Sequence, residues 1–320
     1  MFKQKKLVQT IILAGLAVAG TQAHADNSVP GAAATTVTAP AKKDAPAPGE
    51  SVDDLITNNN LRALSGSTSL WSIASQFNYN GGTLGDPLSQ DRPNISAGSA
   101  TTTKADLDGQ ISAKYSLGVK DALMAGVGIR WIAPFSTGNL KNYAGTAFDV
   151  MNPYLQYQHV YKWFGIQSVV QIQGLLWTQA DQTVVGYQSQ WTADQENMYE
   201  IGKTGLSVGA STYVQFENFN KHNSSLLSSQ SIWSFGIAPE LEYQVSEKIN
   251  LRTLVSLLTF ENYASYANRL VLTQDAIYES VGVGISLTRN VFLYPNVQFL
   301  PGNLALDQTN VGLTATINMF

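Results

Sequence analysis

From Ser67 to Phe320, apolar and polar side chains alternate in about a dozen runs separated by turn-forming residues. A period of two places successive side chains on opposite faces of an extended chain, so these runs are β-strands with one apolar and one polar face. Trp71, Ile73, Phe77 and Tyr79 alternate with Ser72, Ala74, Gln76 and Asn78. Leu107, Ile111, Ala113, Tyr115 and Leu117 alternate with Asp108, Gln110, Ser112 and Lys114. In a third run Leu123, Ala125, Val127, Ile129 and Trp131 share a face, with Gly126, Gly128 and Arg130 opposite. The runs have the length a tilted strand needs to cross a bilayer, roughly 9–11 residues.

Further strands are expected at about 152–161, 164–177, 184–201, 206–219, 231–245, 249–262, 276–288, 291–300 and 309–320. Within the sixth, Ala193 to Glu200 also reads as a helical turn. Short turns near 118, 161, 202, 246 and 288 alternate with longer polar segments near 80, 133, 180, 220, 263 and 301. Short turns at one end and long loops at the other are the asymmetry of a membrane barrel. An even strand number closes the sheet and leaves no unpaired edge in lipid. The expected fold is all-β: a closed antiparallel transmembrane barrel of about twelve strands, ten or fourteen following if one hairpin is misread. It occupies residues 67–320.

The N-terminus has the make-up of an export signal over residues 1–25. Lys3, Lys5 and Lys6 precede an apolar stretch from Leu7 to Gly20, and Ala23-His24-Ala25 offers a small-x-small cleavage site. That stretch is shorter than the roughly 20 residues of a spanning helix. Residues 26–50 are rich in Ala, Pro, Thr and Lys and read as a flexible linker. Residues 51–66 form a short helical or pre-barrel segment. Ser51 can cap with Asp54, Val52, Leu55 and Ile56 share a face, and Asn58-Asn59-Asn60 is expected to end the helix. The segment reads either as a periplasmic lead-in or as a plug tucked into the lumen.

Composition excludes several function classes. The chain has no cysteine, which removes disulfides, thiolate metal sites and cysteine nucleophiles. Cleavage after residue 25 removes three of 19 basic residues and none of 23 acidic ones, leaving a net charge of −7. Nucleic acid is therefore not an expected partner, since phosphate binding needs a basic surface.

The alternating strands, together with a last strand running to Phe320, resemble the bacterial outer-membrane β-barrel superfamily, porin-like proteins among them. The resemblance covers roughly Gly66 to Phe320 as a pattern. It implies outer-membrane lipid and lipopolysaccharide as surroundings, and a barrel assembly machinery that reads the C-terminal strand through its final aromatic. In the usual signature that aromatic shares a face with the apolar residues of its strand. Here Val311, Leu313, Ala315, Ile317 and Met319 form the apolar set, and Phe320 is one residue out of phase.

A charge facing lipid costs several kcal/mol, so strand charges are expected to point inward. The lumen-lining candidates are Asp108, Lys114, Arg130, Glu217, Glu240, Glu242 and Arg252. They read as a weakly acidic water-filled pore or as interior salt bridges bracing a narrow barrel. No ladder of arginines or aromatic slide stands out, so neither a sugar nor an anion is indicated. Trp71, Tyr79, Trp131, Tyr157, Tyr161, Trp163, Trp177, Trp233, Tyr243 and Phe299 lie near strand ends and are expected in interfacial girdles.

No catalytic, metal or cofactor site is indicated. After signal cleavage only His159 and His222 remain, too few for a three-histidine site. His222-Asn223-Ser224 echoes the His-x-Ser of outer-membrane phospholipase A, but that family's flanking residues are missing. The loop from Gly81 to Ile95, with Asp86, Asp91, Arg92, Pro93 and Asn94, lacks the ligand series of a calcium loop and is expected to fold over or into the mouth. The favoured function is a passive porin-like channel for small hydrophilic solutes. The alternatives are a structural or adhesive barrel with a closed lumen and, as a lesser one, an outer-membrane hydrolase.

Overall fold

The computed structural model describes residues 51–136, 147–220, 230–266 and 268–320. The expected signal and linker over 1–50, and His222 and Ser224, lie outside the described residues.

Twelve antiparallel strands close into a barrel. In chain order they begin with β1 (Trp71–Thr83), which is followed by a loop hairpin, β2 (Asp91–Pro93) and β3 (Thr102–Lys104). Then come β4 (Asp106–Ser116), β5 (Asp121–Ile132), β6 (Phe148–Trp163), β7 (Ile166–Leu176), β8 (Tyr187–Glu200), β9 (Leu206–Phe219) and β10 (Ser231–Ser246). The next wall strand is in two pieces, β11 (Ile249–Ser256) and β12 (Leu258–Tyr263), both paired to β10. After the two-residue β13 (Thr273–Gln274), β14 (Tyr278–Thr288), β15 (Val291–Phe299) and β16 (Asn310–Met319) complete the wall. Pairing of β1 with β16, from Ile73 opposite Met319 to Asn80 opposite Gly312, closes it.

Parity along each strand follows the chemistry of its two sides. In β5, Ala122 and Met124 are buried inside, while Leu123 and Trp131 are exposed outside. Leu155, Trp191, Phe216 and Leu251 are likewise exposed on the outer wall. Such an apolar exterior is stable in hydrocarbon, where every backbone group finds its partner in the closed ladder. None of the described helices is long and apolar enough to cross a membrane. Trp71, Trp163, Phe164 and Tyr243 are exposed at the short-turn end, and Trp131, Phe148, Trp191 and Phe216 toward the long-loop end.

Two departures from the simple alternation re-aim side chains into the lumen. Asn152 adopts φ +50° and the β5–β6 register shifts there, so Tyr154 and Met151 both face inward. Its side chain holds the bulge by accepting from the amides of Thr178 and Gln179 at 3.0 and 3.2 Å. This is why β6 extends to Phe148, four residues before the expected start at Asn152: the alternation slips at the bulge. A second slip at Leu257 turns both Ser256 and Thr259 inward, their hydroxyls 3.1 Å apart. Ala193 to Glu200 is strand, not a helical turn, because it pairs along its length with both β7 and β9.

At the other extreme of the chain, β16 ends at Met319 and Phe320 takes φ +75°. The terminal side chain thus leaves the strand, and its phase in the sequence does not decide its direction.

Candidate functional site

The lumen is divided. Its short-turn end is filled by residues 51–66, folded as α1 (Val52–Leu55) and α2 (Asn59–Ser65). Ser51 Oγ accepts from the Asp54 amide at 3.2 Å while Asp54 accepts from the Ser51 amide at 2.8 Å, a reciprocal cap. The asparagine run does not simply end this helix. Asn58 Oδ1 accepts from the Leu61 amide at 3.0 Å and so starts α2.

The plug and its seat match in polarity. Val52, Leu55, Ile56, Leu61 and Leu64 pack against Val160, Val169 and Met198, apolar residues at inward-facing positions of β6, β7 and β8. In a water-filled lumen those three would be wet. Here the plug covers them, each buried side chain contributing about 1.5–3 kcal/mol.

Barrel side chains also satisfy the plug's backbone. The last carbonyls of a helix have no partner within it. In α2 the Ala63 carbonyl accepts from Asn318 at 3.1 Å, Leu64 from Gln158 at 2.9 Å, and Ser65 from Lys114 Nζ at 2.6 Å. The lysine cation also suits the negative end of the helix dipole. Gln167 Oε1 accepts from the amides of Thr57 and Asn58 at 2.7 and 2.9 Å. At the rim, Arg289 pairs with Asp53, Nη2 to Oδ1 at 2.7 Å.

Immediately beneath the plug lies a carboxylate cluster around one arginine. Arg252 Nη2 pairs with Glu196 at 2.8 Å and with Glu240 more closely still, and Nε lies 3.4 Å from Glu242. Plug asparagines reach into the same cluster, Asn58 Nδ2 donating to Glu242 at 2.7 Å and Asn60 Nδ2 to Glu196 at 2.9 Å. Arg252 is 9% exposed and the Glu240 side chain fully buried. Three acids thus share one base, and the asparagine donors supply further hydrogen bonds to their carboxyl oxygens.

Beyond the cluster, toward the long loops, the lumen opens into a vestibule of about 560 Å³. The β2–β3 hairpin folds inward to form part of its wall. Arg92 Nη2 donates to Gln298 at 2.9 Å, Asn310 Nδ2 donates to the Pro93 carbonyl at 2.9 Å, and the Ala276 amide donates to the Ser96 carbonyl at 3.0 Å. These contacts tie the loop to β15, to β16 and to the segment just before β14. Amide side chains are the most frequent type in the remaining lining, Gln110, Gln156, Gln171, Gln173, Gln190 and Gln215 among them.

The seven lumen-lining candidates fall into two groups. Lys114, Glu240, Glu242 and Arg252 are buried at the plug seat. Asp108, Arg130 and Glu217 line the vestibule. Arg130 lies opposite Asp108 in register and pairs with Asp106 at 3.0 Å. Glu217 accepts from Trp177 Nε1 at 2.9 Å and from Gln215 at 2.9 Å. Trp177 is therefore not a girdle residue. It follows the inward phase of β7 and lines the vestibule.

Glu196, Asn58, Asn60 and the glutamine wall were not among the sequence candidates. The inward parity of β8 pointed to Glu196 once that segment is taken as strand. The glutamines come together only through cross-strand register, Gln156 opposite Gln173 for example.

A closed twelve-strand barrel with an apolar exterior and a polar, partly occupied lumen defines a transmembrane β-barrel of the outer-membrane type. No protein-family model matches the chain, and no curated protein matches its sequence. Among solved structures it is similar to an outer membrane channel from Pseudomonas putida F1, at 12% identity and TM-score 0.48 over 78% of this chain and 95% of that one. It is also similar to the NanC porin, at 8% identity and TM-score 0.43 over 78% of this chain and all of the other. Outer membrane phospholipase A from Escherichia coli aligns at 15% identity and TM-score 0.35 over 77% of this chain and 90% of that one.

Proposed function

We propose that this protein is an outer-membrane channel for small hydrophilic solutes whose periplasmic exit is closed by residues 51–66. One observation carries the reading: a polar vestibule leads onto a separate chain segment, seated by an apolar cluster and by side-chain hydrogen bonds, rather than onto a lumen filled by the wall itself. Hydrogen bonds of this kind, to charged groups, contribute about 1.5–3 kcal/mol each, and water can replace them. Solute passes when the plug shifts. The short-turn end faces the periplasm and the long loops face outward among lipopolysaccharide, with the barrel inserted by assembly machinery that engages β16.

A second reading, a structural barrel with a permanently closed lumen, is favoured by the Arg252 cluster, which braces β8, β10 and β11 across the interior. Proteoliposome swelling separates the two. The channel reading expects slow entry of arabinose with the whole mature chain and clearly faster entry after deletion of residues 51–66. Equal impermeability of both proteins, each shown to be folded, would leave the structural reading standing.

A further inference from the structure

We propose that the vestibule is a binding site for neutral, hydroxyl-rich solutes of mono- or disaccharide size. This names the substrate class of the channel proposed above and rests on that reading for its biological meaning, although binding itself can be measured without transport.

The vestibule's glutamines form two hydrogen-bonded groups, one on β4, β6 and β7 and the other on β8 and β9. Gln173 Nε2 donates to Gln110 Oε1 at 3.2 Å and to Gln156 Oε1 at 3.0 Å. Gln190 Nε2 donates to Thr192 Oγ1 at 2.7 Å and to Gln215 Oε1 at 3.2 Å, and Gln215 passes the chain on to Glu217 at 2.9 Å. An amide carries two donor hydrogens and a carbonyl with two lone pairs. Gln173 and Gln190 use both hydrogens within the wall and offer their carbonyls, while Gln110 and Gln215 accept within it through Oε1 and keep at least one donor hydrogen each. Mutual bonding fixes these side chains before a ligand arrives, which reduces the ordering entropy lost on binding.

A row of fixed groups that both donate and accept matches vicinal hydroxyls, each of which does the same. It matches an ion poorly, because an ion needs full opposite charge. At the upper edge Trp177, anchored through Nε1 to Glu217 and 6.0 Å from the Tyr187 ring, adds an aromatic surface for the C–H face of a sugar ring. A cavity of about 560 Å³ lies within the usual range of small-ligand sites, about 300–1,000 Å³.

Charged groups of both signs line the site. Asp106, Asp108, Asp194, Glu217 and Glu261 stand there with Arg92, Lys104 and Arg130. Arg130 is committed to Asp106, and Lys104 to Asp91 outside the lining, each by a close ion pair. With both signs present, neither a carboxylated sugar nor a polyamine meets a full set of opposite charges, and a neutral sugar needs none.

The test is isothermal titration of the whole mature chain in detergent. The probes are sucrose, maltose and lactose as neutral disaccharides, glucuronate as the anionic sugar and spermidine as the cation. Saturable binding of at least one neutral disaccharide is expected, with glucuronate and spermidine each at least about tenfold weaker. Substituting Gln156→Leu together with Gln173→Leu removes two pairs of donors and acceptors and is expected to weaken that binding by about tenfold or more. The proposal is overturned if no neutral disaccharide saturates the wild-type protein, or if glucuronate or spermidine binds more tightly than all three. It is also overturned if the folded double variant binds as the wild type does. Binding without solute entry would refute the channel reading and leave this one intact; solute entry without binding would do the reverse.

Discussion

Replacing Arg252 by leucine removes the cation that, among the described residues, pairs with Glu196, Glu240 and Glu242. The 2.8 Å contact to Glu196 alone corresponds to about 6 kcal/mol of Coulomb attraction at an effective dielectric constant of about 20. Much of that attraction is spent offsetting the desolvation of buried ions, so the net loss is smaller. Breaking one side of a buried pair typically costs about 3–5 kcal/mol, because the partner is left buried and unpaired. The variant is expected to lose that amount in urea unfolding in lipid vesicles, followed by tryptophan fluorescence. Because Asn58 and Asn60 hang from the same carboxylates, residues 51–66 should also become easier to cleave by added protease. Pairing Arg252→Leu with Glu240→Leu should recover more than half of the lost stability. A loss below about 1 kcal/mol, or a double variant no more stable than the single one, refutes the assignment of Arg252 as the counter-ion of the cluster.

Further expectations concern the wall, the rim and the question of catalysis. Val127 faces outward in β5, and Val127→Arg should cost about 2–4 kcal/mol in vesicle refolding if it lies near the bilayer midplane; an unchanged midpoint means the register is wrong. Asp275, outside the strands, has its carboxyl pushed up to about 6, first by burial and then by Glu261. An acid with a raised folded pKa stabilises in its neutral form, so stability should fall as pH rises from about 4 to about 6, and Asp275→Asn should flatten that fall. We expect no phospholipid or ester hydrolysis above background; hydrolysis abolished by Ser224→Ala would make the protein an enzyme.

The wall was legible because lipid on one side and polar groups on the other impose a period of two that a one-residue slip would invert. Where the chain does slip, at Asn152 and Leu257, the sequence pattern blurs, and the expected start of β6 erred there. The one-turn helix α3 (Ala180–Val184), inside a segment expected to be a loop, is too short to leave a periodic signal. The plug was legible as a helix former, but its seat depends on Val160, Val169 and Met198, which in sequence are merely apolar residues at polar phases of their strands. Trp177 was misplaced for the opposite reason: an aromatic near a strand end has two explanations, and only parity through β7 chooses between them. The glutamine wall depends on residues 25 to 63 positions apart meeting through register, which periodicity within one strand does not encode.

The most direct test of the plugged channel is single-channel recording of a chain whose plug can be fastened and released. The protein has no cysteine, so Asn58→Cys with Glu242→Cys gives a unique pair that a short bis-methanethiosulfonate can join, each thiolate displacing methanesulfinate, and that a reductant can release. With the link closed, no resolvable conductance steps are expected in a planar bilayer. Cleaving it should produce discrete steps, and deleting residues 51–66 should give a persistently open level. Equal conductance with the plug linked, released and deleted would contradict the account.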